Sequence, residues 1–307
     1  MKANITNQTH DRPSFYKYVS SEVAKSVLTN KTLKWSSPLL FDDPFDVTRV
    51  LAADIKASEI QECLIDSIID LIKNNTEVRS EFNPKVCLMI ETLRKSGRND
   101  VKEEIIRSLY DLKNEPIMES SALGELRKMW EDMVLISRIL CLSARNNIEL
   151  MWDRYADKYR GVVLEFSCLK ELDSPWLIFE PVQYRPSFLD KVGWGRVLTL
   201  NQDAATKYIF HESCYTKTSD WSYQEEWRIV SFKRTGENGE YSYYKFNPKE
   251  LSAIYLGPEI VAEDRECILS LLNNELSHVK VYSGSITVGC RIEFRELPSV
   301  RVERSVG

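Results

Sequence analysis

Apolar residues recur along this chain in two rhythms, and the places where the rhythm changes divide it into three zones. In the first, residues 1–50, "SFYKYVS" alternates like a short strand, with Tyr16 and Tyr18 on one face and Lys17 on the other. Ser21 is placed to cap a helix carrying Val23 and Val27, and "TLKWSS" resumes the extended pattern. In the second zone, 51–135, the period lengthens to that of a helix. Ile60, Cys63, Leu64, Ile68, Leu71 and Ile72 share one stripe, and Val101, Ile105, Leu109 and Leu112 another. Leu123, Leu126, Trp130, Met133 and Val134 form a third. Breaks at "NNTEVRSEFNP", "KSGRND" and "NEPIMESS" cut this zone into four helices, predicted as a bundle inserted between β-rich segments.

In the third zone, 136–307, strands dominate: "LISRILCLS", "GVVLEFS", "LIFEPVQY", "EWRIVSF", "YSYYKF", "AIYLG", "VKVYS" and "CRIEFREL". Helical interruptions fall near 145–160, 198–215 and 261–276. The stretch 141–166 reads strand, loop, short helix, a turn at Gly161, then strand. This mixture predicts an α+β fold with an inserted helical subdomain.

Composition narrows the classes. Of 307 residues, 43% are hydrophobic and 10% aromatic, which suits a folded globular chain and excludes a disordered one. The net charge of −5 provides no global field for nucleic acid or anionic membrane, leaving only local patches. No apolar run approaches the roughly 18 residues of a membrane span. The start "MKANITNQTH" is too polar for a secretory signal, so the expected location is the cytoplasm. Seven scattered cysteines without a C-x-x-C pair read as buried free thiols, and three histidines without ligand spacing predict no metal site. No G-x-G-x-x-G after a strand, P-loop or G-x-S-x-G elbow occurs.

Candidate chemistry concentrates in "WSYQEEWRIV", residues 221–230, where Gln224, Glu225 and Glu226 open a strand whose Trp227 and Ile229 suit a core. By alternation Gln224, Glu226 and Arg228 share the opposite side. That side is either a solvated edge with a same-face ion pair, worth under about 1 kcal/mol at a surface, or a site. Three other stretches join it. "FYKYVS" holds Tyr16, Lys17 and Tyr18; "LLFDDPFD" favours a turn at Asp42, Asp43 and Pro44 between Phe41 and Phe45. "CLSARNNIELMWDRYADKYRGVVLEF" carries Ser143, Trp152 and Tyr155, and Lys217 lies just before the opening stretch. Each also has a plain structural reading: aromatic strands pack cores, Asp-Pro makes turns, and Trp152 and Tyr155 have helix-packing spacing.

In this order the stretches resemble the bacterial family catalogued as domain of unknown function 2971. Its pattern has an aromatic-Lys-Tyr start, an Asn/Asp-Asp-Pro-Phe turn, and a Phe/Leu-Ser strand end. Met-Trp-x-x-Tyr-Ala before a Gly-started strand and Trp-x-Tyr-Glu-x-Glu-Trp-Arg then follow. The resemblance spans nearly the whole chain outside the helical zone. Gln224 stands where the family often has Glu, and Arg154 where His is common. The family is grouped by fold similarity with the ADP-ribosyltransferases, among them toxins that modify DNA thymidines. The resemblance therefore implies a split, mostly antiparallel β core of ADP-ribosyltransferase type that takes NAD as substrate in a cleft.

On that resemblance Glu226 is the catalytic carboxylate and Gln224 the acceptor-side member of a Gln-x-Glu pair. NAD contacts fall to Tyr16, Lys17, Tyr18, Asp43, Phe45, Ser143, Trp152, Tyr155 and Lys217. Among these, Trp152, Tyr155 or Tyr18 would stack on a ring, and Ser143 would bond the nicotinamide ribose. Lys17, Arg138 or Lys217 would face the pyrophosphate, where cations suit the charge. The expected activity is mono-ADP-ribosylation of a macromolecular acceptor, protein or nucleic acid, in a bacterial toxin or anti-phage effector. An antitoxin or regulatory protein is the expected partner. Arg291, Arg295, Arg301 and Arg304 tilt the acceptor toward nucleic acid, although a solvated tail explains them too. Two alternatives stay open: an inactive binding module of the same fold, and an NAD glycohydrolase using water.

Overall fold

The computed structural model describes residues 8–43, 45–47, 57–113, 121–187, 189–289 and 291–298. In chain order come β1 (Ser14–Val19), α1 (Ser21–Asn30), β2 (Thr32–Ser36), α2 (Ala57–Lys73), α3 (Pro84–Ser96), α4 (Asn99–Leu112), α5 (Ser121–Ile136) and β3 (Ser137–Ser143). There follow α6 (Glu149–Tyr155), β4 (Val162–Ser167), β5 (Glu180–Pro181), β6 (Gln183–Tyr184), α7 (Lys191–Thr199), α8 (Gln202–Cys214) and β7 (Thr216–Lys217). The last are β8 (Glu226–Phe232), β9 (Tyr241–Lys245), β10 (Leu251–Leu256), α9 (Ala262–Leu271), β11 (Lys280–Ile286) and β12 (Ile292–Glu296). The chain is α+β, and it divides into two units: residues 1–40, 137–184 and 219–307, and residues 41–136 and 185–218.

The first unit is built on a ten-stranded sheet in the order β12-β11-β10-β4-β1-β3-β2-β9, with β8 pairing β3 and β5. Its described pairs are antiparallel except β10–β11. Alternation along β1 sends Phe15 and Val19 to one face, where they pack with Val27 and Leu28 of α1 and Ile268 of α9. Tyr18 goes to the other face with Val163, Tyr255, and Ile148 and Trp152 at α6. Ser20 rather than Ser21 caps α1, accepting the Val23 N–H at 3.3 Å. Ser21 instead donates its hydroxyl to the Arg160 carbonyl at 2.8 Å. Gly161 opens β4 because a Cβ there would stand 2.2 Å from the Val19 carbonyl oxygen.

β3 is where the sheet divides. One of its edges pairs with β8 throughout, Ser143 opposite Glu226 and Cys141 opposite Arg228. The other edge meets β1 at Tyr16–Ser143 and β2 at Ser36–Ile139. Cys141 lies between those two bridges, and the Lys17 ammonium donates to its carbonyl at 2.8 Å. A side chain thus supplies the donor where the neighbouring backbones have separated.

The second unit is helical. Asn83 caps α3 ahead of Pro84, and Gly97 ends it at φ +59°. The buried line of α2 runs through Cys63, Ile65, Ile69 and Ile72, rotated from the expected stripe, and α4 buries none of its residues. Trp130 and Val134 of α5 are buried, with Trp130 edge-on to Phe210 of α8. The side chains of Leu123 and Leu126 lie outside the described residues. The segment 185–218, expected with the β-rich part, belongs here. Its α7 packs on α2 through Gly195, where a Cβ would meet the Cys63 carbonyl at 2.4 Å. Gly193 and Gly195 hid this helix by looking like breakers. "LIFEPVQY" likewise is not one strand: Pro175–Ile178 forms a 3-10 turn before the two-residue β5 and β6.

Candidate functional site

Three adjacent strands of the first unit put Tyr16, Ser143 and Glu226 in one cross-strand row. Glu226 begins β8 and is buried, 7% exposed. Arg228, two residues on and therefore on the same face, is fully buried and grips the carboxylate with both arms. Its Nε donates to Oε1 at 2.8 Å and its Nη2 to Oε2 at 3.1 Å. This fork-to-carboxylate pair is the strong form of the interaction, and it is not the surface pair that the sequence also allowed. Trp227 and Ile229 point the other way into the main core, as alternation predicts.

Gln224 is not part of the strand. It ends a 3-10 turn over Ser219–Gln224, and Glu225 follows in the left-handed region at φ 42°. The period-2 argument therefore fails at Glu225, because one residue of reversed backbone twist separates Gln224 from β8. Contacts bring the two stretches together instead. The Ser143 hydroxyl donates to the Gln224 carbonyl at 2.8 Å, and the Ala144 N–H to the Glu225 carbonyl at 2.9 Å. The Gln224 amide donates to the Tyr155 hydroxyl at 2.8 Å, and the Tyr184 hydroxyl accepts the Glu226 N–H at 2.8 Å.

The remaining expected residues divide by environment. Tyr155 is 36% exposed, and Tyr16 is half-buried with its ring edge-on to Tyr255. Burial pushes the Tyr16 phenol up. Trp152 and Tyr18 are core residues: Trp152 is wholly buried with its indole N–H on the Asn146 carbonyl, and the rings meet edge-on at 5.6 Å. The Tyr18 hydroxyl donates to the Arg145 carbonyl and accepts the Ile148 N–H, and burial raises its phenol as well. Neither ring has a face left for stacking. Of the expected cations, Lys17 is bonded to the Cys141 carbonyl, and Arg138 is buried on Ser242, Ser137 and Gly239.

Asp43, Phe45 and Lys217 belong to the second unit. Asp43 Oδ1 accepts the Phe45 N–H at 2.9 Å, an Asx turn that leaves the Phe45 ring 80% exposed. Lys217 is buried against Asp46, 3.0 Å away. Pro44, Arg301 and Arg304 lie outside the described residues.

Electrostatics tie the row together. Burial lowers the Lys17 ammonium, and the nearby Cys141 and Glu226 oppose that shift. Burial, with Glu226 adding to it, holds the Cys141 thiol up to about 12. Arg12, Arg145, Cys141 and Tyr184 complete the neighbourhood, and none of them was expected there from the sequence. Arg12 donates Nη2 to the Ala144 carbonyl at 2.7 Å, lies over the Phe15 and Trp227 rings, and buries an Nε without a hydrogen-bond partner. Arg145 pairs with Glu225 at 2.8 Å. Only "HDRPSF" ahead of β1 signalled Arg12, and long-range pairing was needed to bring it to the end of β3.

Among the described residues no group of three His, Cys, Asp or Glu side chains could hold a metal, and no helix is long and apolar enough to cross a membrane. A model of the family described as "Protein of unknown function (DUF2971)" matches residues 151–229, from α6 into β8. The match takes in Trp152, Tyr155, Lys217, Gln224 and Glu226, and stops short of Ser143 and the β1 residues. No curated protein and no solved structure matches the chain.

Proposed function

We propose that this chain is an NAD-dependent mono-ADP-ribosyltransferase that modifies a macromolecule, in the setting of a bacterial toxin or anti-phage effector, with nucleic acid the favoured acceptor. The observation that carries the reading is the row Tyr16–Ser143–Glu226 across β1, β3 and β8, with Gln224 tied to it through Ser143. In the reaction the nicotinamide–ribose bond breaks with its electron pair leaving on nicotinamide. The acceptor nucleophile bonds to the ribose carbon and gives up its proton. Positive character builds on the ribose in between, as in glycoside cleavage. A fixed carboxylate such as Glu226 helps most at that moment. Arg228 orients it by donating to both of its oxygens.

The same buried pair favours a second reading, a binding module in which Glu226 serves only to neutralise Arg228. Incubating the protein with NAD and measuring nicotinamide release separates the two. Transfer of labelled ADP-ribose to DNA, RNA or protein then separates a transferase from a glycohydrolase. No nicotinamide release under any acceptor condition overturns the enzyme reading.

A further inference from the structure

We infer that the free edge of β9 is a docking site for an acidic, extended segment of a partner protein. Among the described residues β9 ends the sheet, and it pairs with β2 on its inner side, Ser36 opposite Tyr241 and Thr32 opposite Lys245. The Ser37 N–H reaches the Glu240 carbonyl at 2.6 Å and the Phe246 N–H reaches the Lys31 carbonyl at 3.1 Å. Antiparallel ladders alternate, so Ser242 and Tyr244, in step with Glu240 and Phe246, turn their backbone groups toward β2. Tyr241, Tyr243 and Lys245 turn theirs away from the sheet.

The side chains follow the same alternation. Ser242 is buried and Tyr244 packs on Trp35, whereas Tyr241 and Tyr243 are 46% and 57% exposed. The outer face of the pair reads Thr32–Lys245, Lys34–Tyr243 and Ser36–Tyr241: two ammonium groups, two phenol rings and no carboxylate. The Lys34 ammonium stands 4.5 Å from the centre of the Tyr241 ring, and neither Lys34 nor Lys245 has an ion-pair partner among the described residues.

Outward N–H and C=O groups accept an added strand, and exposed tyrosines supply contact area to it. Charge selects the occupant. A second copy of β9 brings further ammonium groups to the same face, whereas carboxylates on an added strand neutralise them. The chain as a whole carries −5, so an acidic partner is drawn to this edge rather than to the average surface.

The test uses the full chain and two labelled six-residue peptides, alternating Glu-Val and alternating Lys-Val, followed by fluorescence anisotropy. The acidic peptide should bind and the basic one should not. Tyr243→Pro removes an outward N–H and no bond to β2, and should weaken binding at least about tenfold, roughly 1.4 kcal/mol. The surface pair Lys34→Glu/Lys245→Glu should do the same and reverse the peptide preference. Absence of acidic-peptide binding up to about 1 mM, equal binding of both peptides, or unchanged binding by the charge-reversed protein overturns the inference. So does sedimentation showing a dimer that Tyr243→Pro dissociates.

Discussion

Arg228 reaches back along its own strand to hold both carboxylate oxygens of Glu226, and both residues are buried while they do so. A surface pair would let either partner change cheaply. Here removing one breaks a buried fork-to-carboxylate pair, which typically costs about 3–5 kcal/mol.

Glu226→Gln should therefore lower the melting temperature as well as reduce nicotinamide release by at least about a hundredfold. The double variant Glu226→Gln/Arg228→Met should recover most of the stability, because the buried charge is gone, and none of the activity. Thermal melts and nicotinamide assays on the single and double variants separate the two effects. Full activity in a folded Glu226→Gln protein assigns the carboxylate to structure alone.

Gln224→Ala removes the bond to Tyr155 but leaves the backbone carbonyl that Ser143 uses. Nicotinamide release should change by less than about threefold, while transfer to the acceptor falls by about tenfold or more. Measuring both products from one reaction mixture checks this, and parallel loss of both would place Gln224 with the NAD chemistry instead.

Cys141 imposes a pH dependence. Its folded-state value is raised to about 12 from an ordinary 9.0, so the folded protein holds a proton that the unfolded chain releases. That contribution is complete below pH 9.0 and is lost as pH rises toward about 12. Between pH 9 and 10 the wild type should lose about 1 kcal/mol more than Cys141→Ala. Urea melts at the two pH values give the difference, and equal slopes would remove Cys141 from the account.

Gly161→Ala should destabilise the first unit by more than about 2 kcal/mol, because the new Cβ would collide with the Val19 carbonyl at 2.2 Å and with the Ala156 backbone at 2.9 Å. Gly236→Ala meets no atom within 4 Å but adopts φ +87°, so its cost is backbone strain alone, about 1 kcal/mol. Denaturant titration of both variants compares collision with strain. A Gly161→Ala protein as stable as wild type would contradict the close approach.

How far the site was legible depends on the range of the contacts that build it. Ser143 and Glu226 could be named from strand ends, since polar residues at such ends stand out against their apolar neighbours, and Tyr16 from the alternation within β1. Trp152 and Tyr18 could not be told from ligand-stacking rings, because a buried aromatic and an exposed one look alike until their hydrogen-bond partners, Asn146 and Arg145, are in place. Lys17, Arg138 and Lys217 were legible as cations, but nothing local showed that each was already bonded. Their partners Cys141, Ser242 and Asp46 are far away in sequence.

Sequence periodicity alone determined the α+β character, most of the strands, the burial of Ile229 and the core-facing side of the partly buried Trp227, because local alternation is set by backbone geometry. Only the tertiary structure decided that 185–218 joins the helical unit, since Gly195 acts as a close-packing residue solely where α2 lies against it. It alone decided that Gln224 stands outside β8, because the Glu225 carbonyl, at the residue of reversed twist, accepts the N–H of Ala144 just past the end of β3. And it alone turned Glu226 and Arg228 from neighbours of uncertain worth into a buried pair. The solvent exposure that sets the strength of a charge pair is a property of everything packed around it, and no two-residue spacing contains it.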